Sequence, residues 1–411
     1  MNIVGLITEY NPFHNGHFHH FKLSKEVTNS SLSVCVMSGN FLQRGEPAIV
    51  DKWTRAKSAV DSGVDLVLEL PTIYACQSAE YFAYGAIKLL DSLNIIDSIS
   101  FGSESGNLDL LKEIASILSN ETLDFKKHLK KSLSNGDPFP KARNYALKKS
   151  LDKDVSKILI KSNNILGIEY IKALNKLKSN IKPFTIKRKG ADYNSNVLTG
   201  SISSATSIRK TLLENYDLKN ISKSIPTHSY RHLKDFYNEY KTFNKLENYN
   251  DILLYLLRTN NKEMLNNLMD VEEGLDNRIK NISNKYDDIR VILNNIKTKR
   301  YAYTRLQRIF IHLLLGLTED KFKTYHNSSL TYVRVLASNV NGFKILKQIK
   351  KESNVEIITK FANYEKIKSK KLKDMIEIDK KATDIYFLGL NKSKTIKANY
   401  DYYISPYIKK D

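Results

Sequence analysis

His14 and His17 stand three residues apart around Asn15 and Gly16. Two imidazoles at that spacing share one helix face, so both can donate hydrogen bonds to a single phosphate group. Gly16 between them lets a ligand approach the backbone. Far along the chain, ISSATSIRK (Ile202–Lys210) carries Ser203, Ser204, Thr206 and Ser207 ahead of Arg209. One hydroxyl suffices to cap a helix. Four hydroxyls and a guanidinium suit a second task, holding a triphosphate tail on the free N–H groups of a helix start.

Both groups need elements to aim them. Ile3–Ile7 is an apolar run bounded by the polar, Pro-containing stretch Thr8–Pro12, as a buried strand would be. Phe18, Phe21 and Leu23 then recur among polar residues, so His14–His17 fall where a strand hands over to a helix. Unpaired backbone N–H groups gather there and favour an anion. Ser33–Met37, Asp65–Leu70, Ile96–Phe101 and Pro183–Lys187 are further short apolar runs, separated by helical patterns at Trp53–Ser62, Ser78–Leu93 and Leu108–Leu118. This rhythm predicts an α/β fold, a Rossmann-like parallel sheet covered by helices on both faces. Ligands bind such sheets beyond the carboxyl ends of the strands.

The loops at those ends are polar. SGNFLQRGEPA (Ser38–Ala48) offers Gln43 and Arg44, the latter as a solvated side chain or a phosphate ligand. Asp51, Lys52 and Arg55 follow on a predicted helix, where pairing among themselves is expected. In ELPTIYACQS, Pro71 forbids simple continuation of the strand, and Gln77, Ser78 and Glu80 are weaker candidates to face the pocket. Gly102 in FGSESG either makes a plain turn or lets an adenine or ribose pack on bare backbone. Asn163 and Asn164 in KSNNILG suit a helix N-cap as well as a ribose or base-edge contact. Arg188, in IKRKGADYN, ends the fifth predicted strand and so points toward the cleft.

With 411 residues and 41% hydrophobic content, the chain can bury a large core and is long enough for two domains. Cys35 and Cys76 are the only cysteines, which excludes a disulfide framework or a four-cysteine zinc site. Neither a signal peptide nor a membrane span is legible, so a reduced, cytoplasmic protein is expected. The net charge of +21 suits a polyanionic partner, although Lys-, Asn- and Ile-rich usage also fits a biased genome, so its distribution matters more than its total. It divides as +8 over residues 1–210 and +13 from Thr211 onward, and residues 291–350 hold 11 basic against two acidic residues. At their centre, Lys297, Lys299, Arg300, Arg305 and Arg308 alternate with Tyr301 and Tyr303, either as basic groups that follow an RNA backbone while rings stack on bases or as a solvated helix face with buried tyrosines. Ile309–Leu317 reads as a buried helix. Most of Thr211–Glu319 is helical in pattern, and Leu330–Asp411 mixes short strands and helices. The expected division is therefore an α/β domain with a phosphate-binding crevice over 1–215 and a basic, mainly helical region suited to RNA over 216–411.

HNGH after a first strand resembles the HxGH motif of the nucleotidylyltransferase superfamily, and ISSATSIR resembles its second signature. EYNPFHNGH, SGNFLQRGEPA, ELP with QSAE, FGSE, NNILG and ISSATSIR, in this order, further resemble the bacterial tRNA(Met) cytidine acetate ligase family, the likeness continuing through KTKRYAYTRLQR. The resemblance implies an HxGH-type fold and an ATP-dependent ligase. Acetate would be activated as acetyl-adenylate, and its acetyl group passed to N4 of the wobble cytidine in elongator tRNA(Met). It places ATP on Ile7, Thr8, Glu9, Tyr10, Asn11, Pro12, Phe13, His14, Asn15, Gly16, His17, Phe18, His19 and His20, with Gly102, Asn163, Arg188 and Ser207. His14, His17 and Arg209 would be catalytic, the imidazoles at the α-phosphate and Ser207 with Arg209 at the departing pyrophosphate. Lys161 and Ser162 replace the family's usual proline, which leaves the choice between Asn163 and Asn164 open. Lys299, Arg300, Arg305 and Arg308 would bind tRNA. Mg²⁺ is expected with ATP, and no protein residue is assigned to a metal.

Acetate is already anionic near neutral pH, so the first step needs no base, and positioning with charge neutralisation can supply the catalysis. The second step must exclude water and admit an unstacked base. Two rivals fit the short motifs: an adenylyltransferase acting on a small phosphorylated substrate, which has little use for a basic second half, and a non-catalytic RNA-binding protein.

Overall fold

In the computed structural model, residues 2–188, 203–328, 331–390 and 397–410 are described. The predicted apolar runs form strands β1 (Ile3–Thr8), β2 (Leu32–Ser38), β3 (Leu66–Leu70), β4 (Ser98–Ser103) and β5 (Lys182–Lys187), which pair with one another in parallel. Ile3, Val4, Leu6, Val34, Val36, Leu66 and Leu68 are fully buried, because helices cover both faces of the sheet and no face of β1, β2 or β3 meets water. The helices Asn15–Val27, Lys52–Asp61, Ala79–Ser92 and Leu108–Ser119 follow their strands. At Gly5 a Cβ would stand 2.9 Å from Leu90 Cδ1, so the residue without a side chain is what lets helix Ala79–Ser92 lie on β1.

The sheet does not end with the first half of the chain. Three more strands, β6 (Tyr332–Ser338), β7 (Glu356–Ile358) and β8 (Tyr407–Ile408), extend it in the order β5-β4-β1-β2-β3-β6-β7, with β8 pairing β6. β6 runs antiparallel to β3, Leu66 opposite Ser338. The helical stretch from Thr227 to His326 is thus an excursion from which the chain returns to the same sheet. One hydrophobic cluster runs from Ile3 through Phe236 and Ile309 to Phe387.

Ionic contacts in the interior fasten this return. Lys52 Nζ lies 2.8 Å from Glu69 Oε1 on β3 and 3.0 Å from Asp401 Oδ1 near the C-terminus. Arg334 on β6 reaches the same two carboxylates, at 3.4 and 2.5 Å. All four side chains are essentially inaccessible to water. The expected pairing among Asp51, Lys52 and Arg55 is therefore corrected. Asp51 caps its helix by accepting from Thr54 N at 2.9 Å, Lys52 pairs across the sheet, and Arg55 donates to backbone carbonyls.

Three of those carbonyls lie at the carboxyl ends of β1 and β2, and the fourth, Val50 O, lies in the loop before the arginine's own helix. Buried Arg55 donates to Glu9 O (2.7 Å), Ser38 O (3.0 Å), Val50 O (3.2 Å) and Gly39 O. Strand ends leave such oxygens without ladder partners, and one guanidinium with five N–H groups satisfies several at once. β1 lies between β2 and β4, so the strand order reverses direction there and opens a crevice at its carboxyl end.

Candidate functional site

At that crevice the chain turns through Tyr10, whose φ of 48° is left-handed, and enters helix Asn15–Val27. His14 is the N-cap and His17 the third helical residue. His14 Nδ1 accepts from Gly16 N at 3.0 Å, and His17 Nδ1 accepts from His14 N at 3.4 Å. This reciprocal arrangement is a capping box built from two imidazoles. The rings stack with centroids 3.7 Å apart, and Tyr10 and Phe13 hold His17 at 5.0 and 5.8 Å.

Burial, then the charges of Arg188 and Arg209, push His14 down to about 3. Burial also takes His17 well below its ordinary value, with His14 and Arg188 adding to it, and takes His20 to about 4, with Arg188 contributing. All three are neutral at pH 7. In a neutral ring whose Nδ1 accepts, the proton sits on Nε2. The capping box therefore leaves His14 an Nε2–H donor to offer to a ligand, while a ring nitrogen of His17 also meets the Pro12 carbonyl.

The second helix start meets the first. Asn15 N donates to Ser224 O at 3.0 Å and Asn15 Nδ2 to Lys223 O at 2.9 Å, while Ser203 and Ser224 hydroxyls lie 3.1 Å apart. Arg209, in helix Ala205–Asn215, donates through Nη1 to Asn11 O at 3.0 Å, and its Nη2 is 3.6 Å from Glu46. Arg188 follows β5 directly, and its Cγ would be 3.2 Å from a Cβ on Gly102. Two guanidinium groups and two neutral imidazoles thus surround one helix N-terminus, an anion site by charge and by donor direction.

Other expected residues are placed differently. Tyr10, Asn11 and Phe13 are buried, Asn11 Oδ1 accepting from Ile49 N at 2.9 Å. Thr8 Oγ1 lies 3.0 Å from the buried Cys35 Sγ. Ile7, Phe18, His19 and His20 are half-buried. Glu9 accepts from Gln43 N at 2.7 Å, and burial raises its carboxyl above the ordinary range. Ser207 is fully buried and donates to Ser204 O at 2.9 Å, while its own N–H goes to the Ser204 cap. Its hydroxyl is thus engaged within its own helix start. Ile202 and residues 189–194 of IKRKGADYN lie outside the described residues.

Neither asparagine of the pair is an N-cap, since Lys161 occupies that position. Instead Glu104 accepts from Asn163 N (3.3 Å), Asn163 Nδ2 (2.7 Å) and Asn164 N (2.9 Å). Asn164 is buried and accepts from Ser105 N at 3.0 Å, so Asn163 is the more accessible member. A carboxylate at a helix start replaces the hydroxyl cap, a partner that local spacing did not reveal. Arg44 Nη2 reaches Ser162 Oγ at 3.4 Å. Gln77 is buried, its backbone carbonyl accepting from Gln43 Nε2 at 3.0 Å, whereas Ser78 is half-buried and Glu80 exposed. Glu46, the partner of Arg209, went unremarked in the sequence because RGEPA reads as a loop.

The basic core of the second half is engaged with carboxylates. Arg300 and Arg305 pair with Glu272 at 3.1 and 2.8 Å, and Arg308 stands 3.5 Å from Asp270. Tyr301 is buried and Tyr303 half-buried, which favours the helix face with buried tyrosines over open stacking rings. Lys297 and Lys299 are exposed. Gly45 (φ +79°) lets the loop after β2 pack on helix Tyr303–Leu315, since a Cβ there would lie 2.3 Å from Arg308 N. Among the described residues no three His, Cys, Asp or Glu side chains come together as metal ligands, so the expected Mg²⁺ finds no cage built by these residues.

Comparison with known proteins covers the whole chain. The model of the HIGH Nucleotidyl Transferase family matches residues 1–401. The tRNA(Met) cytidine acetate ligase of Thermoanaerobacter sp. (strain X514) is 48% identical over 395 residues, 96% of each chain. The enzyme of that name from Clostridium perfringens (strain ATCC 13124) is 47% identical over 420 residues, 99% of this chain and 100% of its own. The crystal structure of Thermotoga maritima TmcAL bound with α-thio ATP superposes with a TM-score of 0.92 at 33% identity, covering 99% of both chains. Its apo form gives 0.94 at 34%, also covering 99% of both chains.

Proposed function

The chain belongs to the tRNA(Met) cytidine acetate ligase family of HIGH nucleotidyltransferases, and we infer from that membership and from the site how it works. It is an enzyme that uses ATP to acetylate a cytidine of tRNA(Met). The finer reading is that acetate is activated as acetyl-adenylate and that the acceptor is N4 of the wobble cytidine in elongator tRNA(Met), in the cytoplasm. No described helix is long and apolar enough to cross a membrane.

In this reading an acetate oxygen attacks the α-phosphorus of ATP, and the bond to pyrophosphate breaks. His14 and His17 Nε2–H donate to the phosphate oxygens on which charge grows, and Arg188 and Arg209 neutralise the nucleotide tail. Neutral imidazoles at this place donate without adding charge, so they do not compete with the guanidinium groups for the anion. The cytidine amine then attacks the acetyl carbon, AMP leaves with the shared oxygen, and one proton is released from nitrogen. Mg²⁺ would enter with ATP and supply charge neutralisation at the phosphates, and no step is assigned to a protein-held metal.

The observation that carries the reading is the convergence of both helix starts on one crevice, with Arg209 reaching Asn11 O. Incubation with ATP, labelled acetate and bulk tRNA, followed by nucleoside mass spectrometry, tests it. Labelled N4-acetylcytidine is expected. Adenylyl transfer to a mononucleotide without acetate, or tRNA binding without ATP turnover, overturns it.

A further inference from the structure

We propose that the hairpin of helices Leu123–Ser134 and Phe139–Leu151 is an RNA-docking arm, its outward lysines taking the phosphodiester backbone of the tRNA. The proposal rests on the tRNA-acetylating function and adds where the substrate is held. The basic core around Arg305 and Arg308 is occupied by Glu272 and Asp270, so its arginines reach RNA only after breaking those pairs.

The hairpin is differently made. It is inserted in the crossover between β4 and β5, and its two helices bury Phe125, Ala142, Ala146 and Leu147. On the outer face, Lys126, Lys127, Lys130 and Lys131 are all exposed. Lys126 with Lys130, and Lys127 with Lys131, are like charges one helical turn apart, an arrangement that destabilises an isolated helix. Asp124, the one carboxylate of helix Leu123–Ser134, faces His128 at 3.3 Å. Among the described residues, no carboxylate forms an ion pair with any of the four lysines. Residues 121–161 hold 11 Lys and Arg against five Asp and Glu. A face of unneutralised lysines fits a polyanion. Phe139, 55% exposed with Arg143 beside its ring at 6.0 Å, adds a surface on which a base can stack.

Its position joins it to the chemistry. The hairpin leads through Ser156–Leu159 into helix Ser162–Leu177, and Asn164 Nδ2 donates to Ile158 O at 3.1 Å. That helix start touches Arg44 and Glu104 on the site loops. RNA held on the arm therefore lies beside the crevice.

The test replaces Lys126, Lys127, Lys130 and Lys131 by Gln in the full chain. tRNA binding is read by anisotropy over a salt series, the KM for tRNA by acetylation, and acetyl-adenylate formation by acetate-dependent ATP–pyrophosphate exchange without RNA. Expected are a rise of at least about tenfold in Kd and KM for tRNA, a salt slope shallower by about 3, and unchanged exchange. Changing Lys344, Lys347, Lys350 and Lys351 to Gln removes equal charge from helix Val340–Glu352 and should alter tRNA affinity far less. Affinity and slope within twofold of wild type, or equal loss in the matched control, overturn the arm. Exchange also reports folding, and if the quadruple variant loses it, the double reversal Lys127→Glu/Lys131→Glu is read in the same way. A wild-type protein without exchange or acetylation would count against the functional reading, while the binding arm of the experiment would still decide the docking surface.

Discussion

His14 and His17 lie ring on ring at 3.7 Å, each Nδ1 accepting a backbone N–H of the turn they share. One arrangement thereby does two jobs. It satisfies orphan donors of the helix start, and it fixes the His14 tautomer so that its remaining N–H is available to a ligand. The stack is tolerable because neither ring is charged at neutral pH.

A pH dependence of stability follows from that neutrality. His14 is held at about 3 and His20 at about 4, mainly by burial, while an unfolded imidazole titrates near about 6.5. As pH falls, the unfolded chain binds protons first. The contribution is complete above about 6.5 and is lost between there and the folded value, at up to ~1.4 kcal/mol per pH unit for His14. Urea unfolding at pH 7 and pH 5 should show the loss. His14→Asn retains a good N-cap and should flatten the slope; an equal slope in that variant would refute the assignment.

His17→Ala should lower acetate-dependent ATP–pyrophosphate exchange by about 10²–10³-fold, the usual effect of removing one preorganised donor. tRNA binding should remain. Loss of both would place His17 in the scaffold rather than the chemistry.

Glu46 occupies Arg209 where we place the nucleotide tail. Glu46→Gln should therefore tighten ATP binding about three- to fivefold, the scale of a partly exposed ion pair. Arg209→Gln should weaken exchange about 100-fold, and Arg209→Lys should not restore it, since an ammonium lacks the guanidinium fork. Titration calorimetry with ATP and the exchange assay check both; rescue by lysine would contradict the geometry.

Lys52→Met should cost ~3–5 kcal/mol, because Glu69 and Asp401 would be left with less compensation in the interior. Asp401→Asn should also destabilise the chain, although it lies near the C-terminus. The denaturant midpoint measures each. A change under 1 kcal/mol, on the order of a surface pair, in both variants would show that the buried network does not fasten β6 to β3.

The parallel order of β1–β5 and the helix that begins at His14 were legible in the sequence because apolar periodicity, capping and turn chemistry are local. Ile3–Ile7 and Ser33–Met37 were placed within a residue or so of β1 and β2. The choice of partners for charged and polar side chains was not. Arg305 and Arg308 looked ready for phosphate, yet carboxylates 33 and 38 residues back in the chain hold them. Asn163 suited a cap, but Glu104, 59 residues away, supplies it. Lys52 looked ready to pair within its helix and instead meets Asp401 across almost the whole chain. Spacing determines which groups can share a face; only the fold decides which opposite charge arrives there, since desolvation makes an unpaired buried ion too costly to leave.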